Sequence, residues 1–219
     1  MMSWAELHRL YSLTSDAFAG RNDRPPRYNI APTQNVPIVH NDKDGNEISE
    51  EARWWLVPWW AKEMPKQAMF NARIETVATS GAFKDAFKSK RCLIPADGFY
   101  EWTLAPEDPK GKTKDPWFIH LSGGAPFSFA GLWAHNDKLG VTSCTIITRD
   151  AEGPVTELHD RMPVILDPAV YDEWLSAETS TSDAMELLDH HLDGQLQFHR
   201  VSRDVNTSKF TGNPGINPL

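Results

Sequence analysis

Only two cysteines, Cys92 and Cys144, occur in the 219 residues, each inside an apolar run (RCLIP and TSCTIIT). There is no CxxC, so a zinc site or a redox pair has no support, and both thiols are expected to be buried. No apolar run approaches the ~20 residues that a membrane span needs. The opening MMSWAELHRL lacks a basic-then-apolar leader. These absences predict a soluble cytoplasmic protein without a membrane partner, associated with the nucleoid if its source is prokaryotic. Positive charge is also in short supply: 22 Lys and Arg against 30 Asp and Glu give a net charge of −8. That balance argues against gripping long duplex DNA by phosphate neutralisation, but leaves room for a short basic cleft that holds a few nucleotides. No Ser, Thr or Cys sits in a recognisable nucleophile context such as GxSxG. No cofactor or metal motif is read.

The length suits one domain spanning 1–219. Ser3-Trp4-Ala5-Glu6 is a capping box that predicts a helix over 4–13, followed by a loop at 20–27. Val36 to His40 reads as a strand, Asp44-Gly45 as a hairpin turn, and the run to Val57 as the returning strand. A short helix is expected over 80–88. β-rich runs follow at 91–95, 98–103, 117–121, 127–133, 142–148 and 162–166. Asp167-Pro168 opens a helix, another covers 183–191, and 197–202 is a strand. The polar stretches Pro106–Pro116 and Glu178–Asp183 read as an exposed loop and a linker. The pattern predicts an α+β fold with a central curved antiparallel sheet or open β-barrel and peripheral helices. Most of the nine tryptophans are expected to fill its core.

Four motifs place polar residues where a core pattern wants apolar ones: RYNIAPTQ (27–34), NARIET (71–76), PADGFYEW (95–102) and HDRMP (159–163). Taken singly, each has an ordinary structural role, as a solvent-facing strand position, a turn with its own ion pair, or a cap. Together, a histidine, a glutamate and an asparagine with two arginines nearby are a toolkit for acid–base chemistry on an anionic substrate. Arginine's planar fork suits phosphate oxygens.

In order and spacing, RYNIAPTQ, WWLVPWWAK, NARIET, RCLIPADGFYEW, FAGLW, HDRMPVIL and VSRDVN resemble the SOS-response-associated peptidase (SRAP) family across about residues 25–206. The resemblance implies a single α+β domain on a barrel-like sheet, with a groove for single-stranded DNA carrying abasic sites; a monomer is expected. In that family the α-amine of an N-terminal cysteine condenses with the abasic-site aldehyde and the thiol closes a thiazolidine, leaving a stable cross-link. The cysteine is exposed by autoproteolysis. By position, Asn71 resembles the residue that orients the N-terminus, Glu101 the carboxyl that assists ring opening, and His159 the histidine that supports imine formation. Arg73 and Arg161 resemble phosphate-gripping arginines, Trp59 and Trp60 an aromatic pair beside the DNA, and Pro32 the lining of the site's mouth. The family begins Met-Cys-Gly-Arg-Phe, whereas this chain begins Met1-Met2-Ser3-Trp4. The expectation is a start placed late, with the nucleophile and an N-terminal strand missing and no cross-linking by the chain as it stands. The other reading is a non-catalytic binder of single-stranded or abasic DNA. A basic strip is expected around Arg73 and Arg161.

Overall fold

The computed structural model describes residues 26–213, apart from 109 and 112. The expected helix at 4–13 and nearly all of the 20–27 loop lie outside the described residues. Strands dominate because short runs rich in β-branched and aromatic residues are bounded by turn formers, and the central ones (Arg91–Ala96, Phe127–Asn136 and Val141–Asp150) are buried along most of their length. The chain opens with a hairpin of β1 (Asn35–Asn41) and β2 (Glu47–Trp54), with Val36 opposite Ala52. At its turn Asp42 Oδ1 accepts from the amides of Asp44 and Asn46 at 2.8 and 2.9 Å, and Gly45 takes a φ of 81°. The remaining strands are β3 (Asn71–Arg73), β4 (Arg91–Ala96), β5 (Phe99–Leu104), β6 (Lys114–Leu121), β7 (Phe127–Asn136), β8 (Val141–Asp150), β9 (Arg161–Pro163), β10 (Ile165–Leu166) and β11 (Leu196–Arg200).

Two sheets result. In the larger, β7, β4, β1, β2 and β8 pair in succession and β8 pairs back onto β7, so the sheet curls round on itself. Its pairings are antiparallel except where β2 and β3 run parallel to β8. The smaller sheet is antiparallel, in the order β11-β6-β5. One core cluster joins the two sheets through Ile38, Ile94, Ile119, Phe127 and Phe129. A second buries Val39, Leu93, Leu132 and Ile147 against short helices. These are α1 (Ile74–Val77), α2 (Lys84–Ser89), α3 (Tyr171–Leu175) and α4 (Thr181–Leu187).

One arginine ties the helices together. Arg91 is 3% exposed. It donates to the carbonyls of Phe87 and Lys88 at 2.8 and 3.0 Å, and to those of Trp174, Ser176 and Thr179 at 2.7, 2.5 and 3.1 Å. It thereby satisfies orphan carbonyls at the ends of both α2 and α3. Burial lowers its pKa, and no carboxylate is among these partners. Both cysteines are buried and free, as expected. Among the described residues no helix is long and apolar enough to cross a membrane.

Some elements differ from the sequence reading. The expected helix over 80–88 is shorter, with turns from Ser80 leading into α2, and the NARIET motif runs into α1, which ends at buried Val77. The Pro106–Pro116 stretch is not all loop, because β6 begins at Lys114. Asp115 is 2% exposed there because it accepts from Arg200 Nη2 at 2.5 Å and Arg203 Nε at 2.7 Å. The Glu178–Asp183 linker contains the start of α4, where Ser180 caps the Asp183 amide. The run at 162–166 splits in two, since β9 pairs with β8 while β10 pairs with β7. The helix from Asp167 starts as a 3-10 turn before becoming α3.

Candidate active site

β8 gathers the motifs. On one side β3 runs parallel to it, setting Asn71 opposite Ile146 and Arg73 opposite Thr148. Beyond β7 on its other side, β9 runs antiparallel and sets Arg161 opposite Asp150. β5 supplies the facing wall, with Glu101 paired to Trp117 of β6. The wall begins at Gly98, where a Cβ would fall 2.3 Å from Phe118 Cζ and 2.6 Å from the Ile119 carbonyl oxygen, so only glycine fits.

Between the sheets lies a cavity of about 640 Å³, lined by Pro32, Asn71, Glu101, His159 and Arg161 among others. Arg73, Trp59 and Trp60 are outside this lining. Trp59 and Trp60 are 65% and 53% exposed, and Trp59 Nε1 donates to Asp85 Oδ2 at 3.3 Å. Arg73 is exposed at the end of β3. Trp55 packs on Phe70 with ring centroids 5.6 Å apart.

Burial raises the Glu101 carboxyl above its usual range. The charge of His159, a hydrogen bond from the Trp102 amide and the charge of Lys114 pull it back. His159 Nδ1 accepts the Arg161 amide at 2.9 Å. A backbone amide only donates, so the neutral ring carries its proton on Nε2. The Arg161 carbonyl, 3.1 Å from the same nitrogen, would need the opposite tautomer. Arg161 itself is heavily engaged. Its Nη1 reaches Glu75 Oε1 and Asp150 Oδ1, both at 2.5 Å, and its Nη2 reaches Glu75 Oε2 at 3.1 Å and the Thr148 carbonyl at 2.8 Å. Hydrogen bonding to Glu75 raises the arginine pKa and lowers that of the glutamate. The expected basic strip is therefore interrupted, because two carboxylates answer the Arg161 charge. The Arg161 Nε–H is buried without a hydrogen-bond partner.

A family-wide sequence profile described as SOS response associated peptidase (SRAP) matches residues 2–208. The chain belongs to the SRAP family. Abasic site processing protein YoaM of Bacillus subtilis is 39% identical over 200 residues, covering 89% of this chain and 86% of the relative. Abasic site processing protein YedK of Escherichia coli is 31% identical over 197 residues, covering 88% and 85%. Among solved structures, a phage-related protein of Bordetella bronchiseptica superposes with a TM-score of 0.69 at 31% identity, covering 82% and 83%. A Bacteroides thetaiotaomicron protein shares the fold, with a TM-score of 0.78 at 21% identity over 94% and 91% of the two chains.

The SRAP groove also includes residues that the sequence reading passed over. Thr148 lines it and is 7% exposed. Tyr100 lines it too, and donates its hydroxyl to the Tyr28 carbonyl at 2.8 Å, so the rim segment is tied to the wall. The buried polar side chains of β8 (Ser143, Thr145, Thr148) were the available signal for Thr148, since a β run ordinarily buries apolar groups. Tyr100 stood within a quoted motif, but nothing in its spacing distinguished it from a packing aromatic.

Proposed function

We propose that the cavity receives single-stranded DNA at an abasic site and that, when an N-terminal cysteine is supplied, the protein is joined covalently to the lesion. The observation that carries this reading is the convergence of three groups on one cavity: a carboxyl whose pKa is raised by burial, a histidine, and an asparagine. The relatives named abasic site processing proteins support it.

The chemistry follows from those groups. Protonated Glu101 hands a proton to the ring oxygen O4′ as the C1′–O4′ bond breaks, and the C1′ hydroxyl releases its proton to solvent as it becomes the aldehyde oxygen. The α-amine, whose pKa lies near ~8 and leaves a useful neutral fraction, adds to the aldehyde carbon. The added amine gives its surplus proton to the Glu101 carboxylate, which passes it to the departing hydroxyl as the carbinolamine loses water to give an imine, with His159 Nε2–H hydrogen-bonded to that hydroxyl. The thiol then adds across the imine, forming the C–S bond of a thiazolidine and returning its proton to nitrogen. Asn71 offers an amide donor and an acceptor that hold the N-terminal residue over the aldehyde. Removal of the residue ahead of the cysteine would be the self-processing step.

The test is a denaturing-gel assay with an oligonucleotide carrying one abasic site. The chain as it stands is compared with a version extended at its N-terminus so that it begins, after methionine removal, with a cysteine. A heat-stable shifted band from the extended protein alone, slowed by Glu101→Gln and His159→Asn with DNA binding retained, supports the covalent reading. No band from either protein refutes it. The burial of both Cys92 and Cys144 favours a second reading for the chain as it stands, that of a binder without covalent chemistry, since neither thiol can reach a bound aldehyde.

A further inference from the structure

A second polar cluster lies at the foot of the loop that carries His159, and its members are not part of the cavity lining. Asp193 opens the 3-10 turn Asp193–Gln195 and is 2% exposed, yet neither of its carboxylate oxygens accepts a hydrogen bond. His191 Nδ1 stands 3.3 Å from Asp193 Oδ2, and Arg149 Nη1 stands 3.5 Å from it. Both nitrogens are also buried without a hydrogen bond. Glu152 completes the group, with one ligand atom from each of Glu152, His191 and Asp193 lying within 4.8 Å of the others. Buried polar atoms are nearly always hydrogen-bonded, so orphans from three side chains converging on one point mark a place for a bound ion or water.

We infer that Glu152, His191 and Asp193 form a binding site for a divalent transition-metal cation, with one imidazole nitrogen and carboxylate oxygens as donors. The donor set selects the class of cation: imidazole with carboxylates suits zinc and its neighbours, whereas calcium and magnesium prefer oxygen-only shells. The charge favours a cation, because two carboxylates face a single guanidinium. Arg149 Nη2 holds Glu152 Oε1 at 2.5 Å, which fixes that carboxylate and leaves its other oxygen for a ligand.

The donors are held in place before any ion arrives. His191 forms an isolated bridge with Leu166 of β10, and the Leu192 amide donates to Ile165 at 3.0 Å. Gly153 adopts a φ of 58°, and a Cβ there would lie 3.7 Å from the Asp193 carbonyl, so the loop after β8 runs against the turn that precedes β11. A cation at this point would staple the start of the 151–160 loop to both sheets.

The site is tested by thermal melting of the full chain, stripped with EDTA and then given Zn²⁺, with Mg²⁺ and Ca²⁺ as controls. With Zn²⁺ at ~100-fold above Kd the melting temperature should rise by about 5 °C or more. The rise should be absent in His191→Gln and Glu152→Gln. Glu152 is 56% exposed at its side chain, so its replacement leaves folding largely undisturbed and keeps the test valid if a buried-site variant folds poorly. No rise with Zn²⁺, an equal rise with Mg²⁺, or an undiminished rise in both variants would overturn the assignment. The readout does not involve DNA, so it is independent of the proposed reaction.

Discussion

Replacing Arg91 by methionine keeps the apolar stem and removes five donated hydrogen bonds. Buried carbonyls at the ends of α2 and α3 then have no donor. A hydrogen bond to a charged group is worth about 1.5–3 kcal/mol and a neutral one about 1 kcal/mol, and bonds sharing one side chain do not add fully. A loss of about 4 kcal/mol is expected, a large fraction of a typical domain's stability. At roughly 2–4 °C per kcal/mol for a chain of this size, the melting temperature should fall by about 8–16 °C. Arg91→Lys separates charge from shape. A lysine keeps the charge but offers three donors from one point, which cannot span carbonyls set as far apart as those of Lys88 and Thr179. It should recover no more than about half of the loss. Urea titration followed by far-UV circular dichroism measures both variants. Stability within about 1 kcal/mol of the parent for Arg91→Met, or full recovery by lysine, would show that the carbonyls find other donors and that the fork is not what joins the helices.

The pH dependence of cross-linking by a cysteine-bearing form should report Glu101. Its carboxyl is raised by burial, so the proton-donating form persists above pH 4.5 and its contribution falls as pH rises through the elevated value. Glu101→Gln should remove that limb, and an unchanged profile would exclude Glu101 as the donor. Glu50 behaves in the opposite sense. The hydrogen bond from His40 at 2.8 Å lowers its pKa, so its contribution to stability is present above pH 4.5 and fades as pH falls through the lower folded value. His40→Gln should flatten that acid limb in melts between pH 3 and 5 (about the range over which an ordinary glutamate titrates). Trp59→Ala and Trp60→Ala should each weaken single-stranded DNA binding by about 1–3 kcal/mol in fluorescence anisotropy, with folding unchanged. Equal affinity in both would remove these rings from the interface.

What could be read from sequence was mostly local. The Asp44-Gly45 hairpin, the short strands and the cap at Asp167 depend on neighbouring residues, and the structure has them where turn chemistry places them. The curl of the sheet was legible only in outline, because it depends on β8 pairing with strands far away in the chain and partly in parallel. The Pro106–Pro116 stretch looked unstructured because it lacks large apolar groups. Its C-terminal end is a strand because Arg200 and Arg203, more than eighty positions onward, neutralise Asp115. The site followed the same division. Asn71, Glu101 and His159 were visible as polar interruptions in apolar patterns. The commitment of Arg161 to Glu75, 86 positions away, was not, and it changes the guanidinium from a free cation into a clamp on α1 and β8.

The two sheltered thiols have a practical consequence. Cys92 and Cys144 are 0% exposed, and burial raises both of their pKa values, so little thiolate forms and no reagent reaches them while the fold holds. A cysteine added ahead of Met2 would therefore be the only fast-alkylating position in the native protein. Maleimide uptake would count accessible thiols at the N-terminus, the mass of the adduct would tell whether a residue still precedes the cysteine, and a second and third equivalent would appear only as molecules unfold. One mass spectrum could then report both the processing state of the N-terminus and the integrity of the core.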